Sequence, residues 1–468
     1  MKTLVGRHKE IERLKMCYES DSSEFVIVSG RRRVGKTFLV NSLYSKEYAF
    51  YYTGGHHLTN NEQLNEFADC LKRFSNSTLD IKLKDWFDAF RQLRAYLESL
   101  ATTHKKVIFL DEMPWIDSPN SKFVSALEMF WNSWAAQRDD IMLIASGSAT
   151  SWMNDKLVEN QGGLHNRITC RLYLEPFTLG EVEEFLESKN IFWDRYQIIQ
   201  TYMILGGVPF YLNLLDRRYS LAQNIDNLFF ASGGMLRTEF NELYSALFVN
   251  SERYVQIVRA LTTKKSGLSR KDIIAITNIQ GSSLTKMLDN LEKCGFVIVY
   301  SQFNKTERDA IYRLSDFYTL FYFKFVEGND CKDQNFWSHN LNSPSVNAWQ
   351  GFTFELVCLT HLQQIKNALG ISGIATKSSV WNNKDFQIDL IIDRADRIVN
   401  ICEIKFSIEK YGITKEYADY LRDRMSAFRA AVKTRKSLVN TFVTTYGVAV
   451  NKHSAICQSE ILADSLFS

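Results

Sequence analysis

Phe25-Val26-Ile27-Val28-Ser29-Gly30-Arg31-Arg32-Arg33-Val34-Gly35-Lys36-Thr37 decides the reading of this chain. Its first four residues have the composition of a strand buried on both faces. The residues after Thr37, Phe38-Leu39-Val40-Asn41-Ser42-Leu43, read as a helix. Between the two lies G-x-x-x-x-G-K-[ST], in the strand–loop–helix context that this pattern needs. Gly30 and Gly35 let the backbone curl so that successive N–H groups face phosphate oxygens. The helix N-terminus adds its partial positive charge. The expected cradle is Gly30, Arg31, Arg32, Arg33, Val34, Gly35, Lys36, Thr37 and Phe38. Lys36 is expected to reach the β- and γ-phosphates and the Thr37 hydroxyl to ligate Mg²⁺.

A second strand, Val107-Ile108-Phe109-Leu110, ends in Asp111-Glu112, about 70 residues after the glycine turn. An acid at the tip of a central strand is expected to hold the Mg²⁺ shell, which falls to Asp111. Glu112 is expected to polarise the attacking water as a catalytic residue. The adjacent glutamate argues for ATP hydrolysis and against a GTPase-type switch. A third strand, Ile141 to Ser148, ends in small polar residues, so Ser146 or Ser148 is expected to hydrogen-bond the γ-phosphate or the lytic water. Beyond it, Leu164-His165-Asn166-Arg167 and Arg171 supply guanidiniums. Arg167 is a candidate arginine finger, from its own chain or from a neighbour in a homo-oligomer.

The 468 residues predict about three domains. Lys+Arg 56 against Asp+Glu 53 leaves a net charge of +3, too balanced for a protein that works by bulk charge. Hydrophobic residues at 45%, with only 22 Gly and 5 Pro, exclude disorder, collagen and low complexity. The longest apolar-rich stretch, Phe317 to Val326, is about half a membrane span and carries Lys324, so no membrane helix is expected. The first residues lack the apolar core of a signal peptide. Eight scattered cysteines without a Cys-x-x-Cys pair read as reduced thiols. The expectation is a soluble, cytoplasmic, multidomain protein.

Val5-Gly6-Arg7-His8-Lys9-Glu10-Ile11, the glycine turn, Leu110-Asp111-Glu112-Met113-Pro114-Trp115 and Leu205-Gly206-Gly207-Val208-Pro209-Phe210-Tyr211-Leu212 together resemble the archaeal-type ATPase family. That family belongs to the signal-transducing (STAND) branch of AAA+-like P-loop ATPases. The likeness covers about residues 1–240, with the motifs in the family's order. It implies that a Gly-Arg-x-x-Glu box latches onto the nucleotide, through Arg7 and Glu10. It also implies that the Gly-Gly-x-Pro segment closes a lid on the adenine, through Pro209. Three arginines inside the turn depart from the pattern and would either tighten nucleotide binding or reach another anion.

Helical spacing over Leu179–Ser188 and Tyr196–Ile204 predicts a helical lid that moves with nucleotide state. Residues 252–326 hold 12 Lys/Arg and 7 Asp/Glu, a net of +5. Three helical patterns there, Tyr254–Leu261, Arg270–Thr277 and Ser283–Cys294, precede two strands, Phe296–Tyr300 and Ala310–Leu314. That is the pattern of a winged helix, with Lys286, Lys293 and Arg308 as candidate phosphate contacts.

In the last third, the strand Phe386–Ile392 and the strand Ile398–Lys405 flank a polar turn. Antiparallel pairing sets Asp389 across from residue 402 or 403, and Glu403 and Lys405 share one face. Glu355 on the preceding helix is a candidate to join them. Two carboxylates among Ile and Val are costly without a cation, so Mg²⁺ on Asp389 and Glu403 is expected, with Lys405 orienting or deprotonating water. This set resembles the PD-(D/E)xK restriction-endonuclease-like superfamily over about residues 345–468, with Gln-Ile-Asp in place of Pro-Asp. A basic helix, Tyr417–Val432, carries Arg422, Arg424 and Arg429, with Lys433, Arg435 and Lys436 after it, and is a candidate to track a phosphate backbone. Val439–Thr445 is expected to complete the sheet.

The expected fold class is α/β: a P-loop NTPase (ASCE/AAA+-like) parallel sheet at 1–175, a helical lid at 176–250, a winged helix at 251–326 and a restriction-endonuclease-like α/β domain at 345–468. The expected function is a Mg²⁺-dependent ATPase whose nucleotide state controls a DNA-directed, nuclease-like module, with the winged helix as relay or DNA clamp. The alternative is a regulatory switch that binds ATP and uses a catalytically silent nuclease-like fold as a binding platform. The aromatic run Phe317–Phe325 stands as a candidate sensing surface or as core.

Overall fold

Strand β1 (Glu24–Ser29) leads into the glycine turn, and every residue in it from Phe25 onward is buried. With β2 (Tyr48–Thr53), β3 (Lys106–Asp111), β4 (Ile141–Gly147) and β5 (Cys170–Tyr173) it makes a parallel sheet in the order β2-β3-β4-β1-β5. The computed structural model describes residues 4–101, 104–148, 150–158, 163–164, 166–303 and 310–468. His165 and Arg308 lie outside the described residues. The chain divides between Glu175 and Pro176 into two compact units, and this sheet belongs to the first.

Both faces of the sheet are covered, which is why its strands read as unbroken apolar runs. Val26 and Val28 point into one core with Leu39, Val40 and Leu14. Phe25 and Ile27 point into the other, with Phe67, Trp86 and Trp131 from the helices Asn60–Phe74, Trp86–Ser99 and Phe123–Ser133. One strand, β4, separates β1 from the acid-bearing β3. The chain is an α/β protein built on a P-loop NTPase sheet.

The second unit opens with the helices Leu179–Ser188, Arg195–Leu205 and Pro209–Asn213. Gly207 makes a close backbone approach just before the third of them: Phe177 N donates to Gly207 O at 2.6 Å, and a Cβ on Gly207 would lie 1.9 Å from Phe177 O. Helices Ser251–Leu261, Arg270–Thr277 and Gly281–Lys293 follow. They pack with β6 (Leu268–Ser269), β7 (Val297–Tyr300) and β8 (Ile311–Leu314) in the antiparallel order β6-β8-β7, a winged-helix arrangement. Leu284, Met287, Leu288 and Leu291, at helical spacing, make the buried face of the third of these helices. Ser269 and Asp272 form a capping box at the second of these helices.

The aromatic run is core rather than a sensing surface. Phe317, Tyr318, Phe321 and Phe325 are all buried, and Phe321 and Phe325 pack edge-on against Trp337 and Trp349. One hydrophobic cluster runs from Phe177 to Leu466, so segments 176–250, 251–326 and 345–468 share a core.

The last sheet takes β9 (Thr376–Asn382), β10 (Gln387–Arg394), β11 (Ile398–Lys405), β12 (Ser437–Thr444) and β13 (Ser459–Leu462) in the order β13-β12-β11-β10-β9. The first three pair antiparallel and the last three parallel. β12 joins the sheet, as expected for Val439–Thr445, with β13 added beyond it, so β9 and β13 form the edges. β9 (TKSSVWN) and β13 (SEIL) hold few apolar residues, so neither stands out as an apolar run in the sequence.

Gly207→Ala is expected to lower stability by about 2 kcal/mol or more, because backbone must shift to admit the methyl group. Gly351→Ala, in the helix Pro344–Thr360 with open space around the position, is expected to be neutral or stabilising by about 0.5–1 kcal/mol. Urea unfolding of both variants checks the contrast.

Candidate functional site

The glycine turn depends on two backbone positions that side chains disfavour. Gly30 sits at φ +144°, and a Cβ there would lie 2.4 Å from Leu174 O. Gly35, at φ 90°, is the left-handed residue before the helix Lys36–Tyr44. Arg33 is also left-handed, at φ 76°. Inside the curl the Lys36 ammonium is buried and donates to Gly30 O at 3.0 Å, Arg31 O at 3.1 Å and Ser148 Oγ at 2.8 Å.

The tips of β3 and β4 meet this loop. Thr37 Oγ1 donates to Asp111 Oδ2 at 2.9 Å. Burial raises the Asp111 pKa against the Ser146 and Thr37 hydrogen bonds, which favour the charged form. A hydroxyl and a carboxylate oxygen that share one hydrogen bond are hard oxygen ligands suited to Mg²⁺. Glu112 has φ 50° and ψ 48°, left-handed geometry that costs a non-glycine residue about 1–3 kcal/mol. Its carboxylate accepts from Ser148 N at 3.1 Å and Ser148 Oγ at 2.6 Å. A continuous chain therefore runs Lys36 Nζ, Ser148 Oγ, Glu112 carboxylate.

This geometry corrects the expectation for Ser146. Its fully buried hydroxyl donates to Asp111 Oδ1, so it orients that carboxylate rather than facing a phosphate or water. Ser148, two residues on and past the end of β4, takes the position between lysine and glutamate. Arg7 is likewise a loop support: its buried guanidinium donates to Val34 O at 3.4 Å and to Glu175 O at 2.5 Å. Arg31 and Val34 are buried, Arg32 lies 6.0 Å from the Trp115 ring, and Phe38 is exposed. Glu10 is half-buried and Arg167 exposed. Pro209 belongs to the second unit, at the first turn of the helix Pro209–Asn213.

Sequence reading missed Gln63. Its fully buried amide accepts from Tyr52 OH at 2.5 Å and Gly55 N at 3.2 Å, and donates to Gly55 O at 2.7 Å and Trp115 O at 2.8 Å. It thereby pins the loop after β2 to the short helix Met113–Ile116 that follows Glu112. A lone glutamine in an amphipathic helix carries no sequence signal of such a role. His56 and His57 lie on the same loop, and burial, followed by the charges of His57 and Arg32, lowers the His56 pKa.

In the second unit, β10 and β11 pair Leu390 with Cys402, one step from Asp389 and Glu403, as the turn predicted. The surroundings of Glu403 overturn the argument that a metal is needed to neutralise it. Arg424 Nη1 lies 2.7 Å from Glu403 Oε2 and Lys405 Nζ 2.8 Å from Oε1, and the Tyr417 hydroxyl also donates to Oε1. Burial alone would raise Glu403; Arg424 and Lys405 outweigh it and hold the group below the usual range. Arg424 was expected on a phosphate-tracking face, yet it is buried, because position 424 turns into the sheet with Leu421 and Phe428.

Glu355 differs. Burial, then the nearby charge of Asp389, pushes its pKa up to about 7, against the ion pair with Arg313 at 3.2 Å. Asp389 accepts from the Gln387 side chain. Among the described residues no three His, Cys, Asp or Glu side chains form a ready metal cage. In the winged helix, Lys286 is exposed and Lys293 pairs with Asp289 at 3.1 Å.

Residues 4–215 match the family model described as an ATPase domain predominantly from Archaea. This span is an archaeal-type P-loop ATPase domain. The chain is 23% identical over 427 residues to an uncharacterized protein of Methanocaldococcus jannaschii, covering 89% of this chain and 91% of that one. A Walker-type ATPase of Pyrococcus abyssi is similar with a TM-score of 0.49 and 19% identity, covering 68% of this chain and 95% of its own. The ORC2 protein of Aeropyrum pernix, in its ADPNP–ADP complexes, is similar at 0.43 and 16%, covering 68% and 92%. No helix among the described residues is long and apolar enough to cross a membrane.

Glu403→Ala is expected to cost about 3–5 kcal/mol, because Arg424 stays buried without its carboxylate. Replacing both, Glu403→Leu with Arg424→Met, is expected to recover most of that loss, with urea unfolding of the two variants as the check.

Proposed function

We propose that the chain hydrolyses ATP with Mg²⁺ and that its nucleotide state controls a DNA-directed module in the C-terminal third. The observation that carries the first part is the Lys36–Ser148–Glu112 chain beside the Thr37–Asp111 pair. Thr37 and Asp111 would hold Mg²⁺, which neutralises phosphate charge when bound. The Lys36 ammonium sits among the loop carbonyls and would exchange them for β- and γ-phosphate oxygens. Glu112, held from two sides by Ser148, would accept a proton from the water that attacks the γ-phosphorus as the bond to the β-bridging oxygen breaks. Arg167 is the candidate finger, from its own chain or a neighbouring copy.

Nucleotide control of the C-terminal third is supported by how the first unit ends. Leu174 N donates to Ser29 O at 2.8 Å, Leu174 O abuts Gly30, and Arg7 ties Glu175 O to Val34 O. A change in the shape of the phosphate loop therefore acts directly on the segment that leaves the domain.

For the C-terminal module, Glu355, Asp389, Glu403 and Lys405 support a PD-(D/E)xK-type phosphodiesterase acting on DNA. Glu355 and Asp389 would hold Mg²⁺, with Glu403 joining once a basic partner releases it. Arg424 Nε and Nη2 are buried without a hydrogen-bond partner, which suits an anion beside the cluster. The second reading, a silent binding platform, is favoured by the saturation of Glu403 by Arg424, Lys405 and Tyr417.

Phosphate release and nucleotide binding test the first part. Lys36→Ala is expected to abolish binding. Glu112→Gln is expected to keep binding and lower turnover about 100-fold or more. Ser148→Ala is expected to lower turnover about tenfold, the value of one oriented hydrogen bond. Unchanged hydrolysis in Glu112→Gln removes it as the base. Strand breakage in plasmid and single-stranded DNA, with Mg²⁺ and ATP, tests the second part. Asp389→Asn and Lys405→Ala are each expected to abolish it, and breakage that survives both belongs to another site. DNA binding without breakage in the unaltered chain establishes the silent platform.

A further inference from the structure

A cleft of 370 Å³ lies in the second unit, between the winged-helix segment and the helix Pro344–Thr360. Lys264, Lys265, Lys324 and Arg313 line it, and none of its lining residues is an acid. The lysines are exposed at the rim, while Arg313 and Trp349 are buried at the base. Two donors at that base, Arg313 Nε and Trp349 Nε1, have no hydrogen-bond partner, though their side chains are more than nine-tenths buried. Buried donors are destabilising when left unsatisfied, so an acceptor supplied by a ligand is favoured there. The Phe352 ring lies between the charges, 4.9 Å from the Arg313 guanidinium and 5.7 Å from Lys265 Nζ.

We propose that this cleft binds a phosphorylated nucleoside. Three exposed lysines, beside an Arg313 whose Nη2 is already paired with Glu355, exceed what a single carboxylate would need, whereas a phosphate monoester carries about −1.5 to −2. Phe352, half-buried in the lining, offers a ring on which a flat base can stack. The volume falls within the usual range for small-ligand sites, about 300–1,000 Å³. The phosphate lies at the lysine rim and Arg313; the base lies against Phe352, within reach of Trp349 Nε1. The same chemistry is presented by a free nucleotide and by the 5′-phosphorylated end of a strand. None of these residues belongs to the ATPase domain, so the site is separate from the phosphate loop.

Calorimetry on the full chain carrying Lys36→Ala, which silences the phosphate loop, tests this. The probes are the ribonucleoside 5′-monophosphates, the unphosphorylated nucleosides, inorganic phosphate, and a single-stranded oligonucleotide with and without a 5′-phosphate. One equivalent of a monophosphate or of the 5′-phosphorylated strand is expected to bind, and whichever binds identifies the source. Lys265→Ala with Lys324→Ala, both exposed, is expected to weaken binding about tenfold or more. Trp349→Phe, which keeps a ring and loses the N–H, is expected to weaken it severalfold. No binding of either phosphorylated probe at millimolar concentration overturns the proposal. So does equal affinity in the rim variant, or equal binding of the unphosphorylated nucleosides.

Discussion

A buried ammonium inside a curled backbone is the constraint around which the ATPase domain is arranged. Lys36 is held by the carbonyls of Gly30 and Arg31 and by Ser148. Each partner fixes something else: Gly30 can approach Leu174 only without a side chain, and Ser148 in turn fixes Glu112. Arg7 closes the arrangement from outside by bonding the loop at Val34 and the exit of the domain at Glu175. The strained backbone of Glu112 is tolerated because Ser148 on one side and the short helix pinned by Gln63 on the other leave it little freedom.

Charge compensation has the same organising part in the second unit, by other means. Glu403 is buried yet ionised because Arg424 and Lys405 converge on it from a helix and from its own strand. Among the described residues Glu355 has one ion pair, to Arg313, and burial followed by the charge of Asp389 outweighs it. Arg313 comes from the winged-helix segment and also lines the basic cleft. One guanidinium is thus common to the acidic cluster of the last sheet and to the cleft.

Much of the site in the first unit was legible because its chemistry is local. The glycine turn needs consecutive residues, and Asp111-Glu112 ends a strand whose apolar run marks it as central. The β10–β11 hairpin was legible for the same reason, since a short turn fixes the register. Ser146 and Ser148 could not be told apart from the sequence, because their roles follow from how far β4 extends past the tip of β3. Arg424 and Arg313 were invisible as partners of acids: they meet Glu403 and Glu355 across 21 and 42 residues, and nothing periodic links them.

The amino-acid order by itself determined the glycine turn, the acids on β3 and the β10–β11 hairpin that sets Asp389 and Glu403 one step beyond the Leu390–Cys402 pair, because hydrogen bonds between near neighbours and strand alternation act over a few residues. Only the tertiary structure decided which cations neutralise the buried carboxylates, which serine meets Glu112, and that Phe317–Phe325 is core. Those outcomes depend on which distant side chains share a low-dielectric space, and burial is a property of the packed whole.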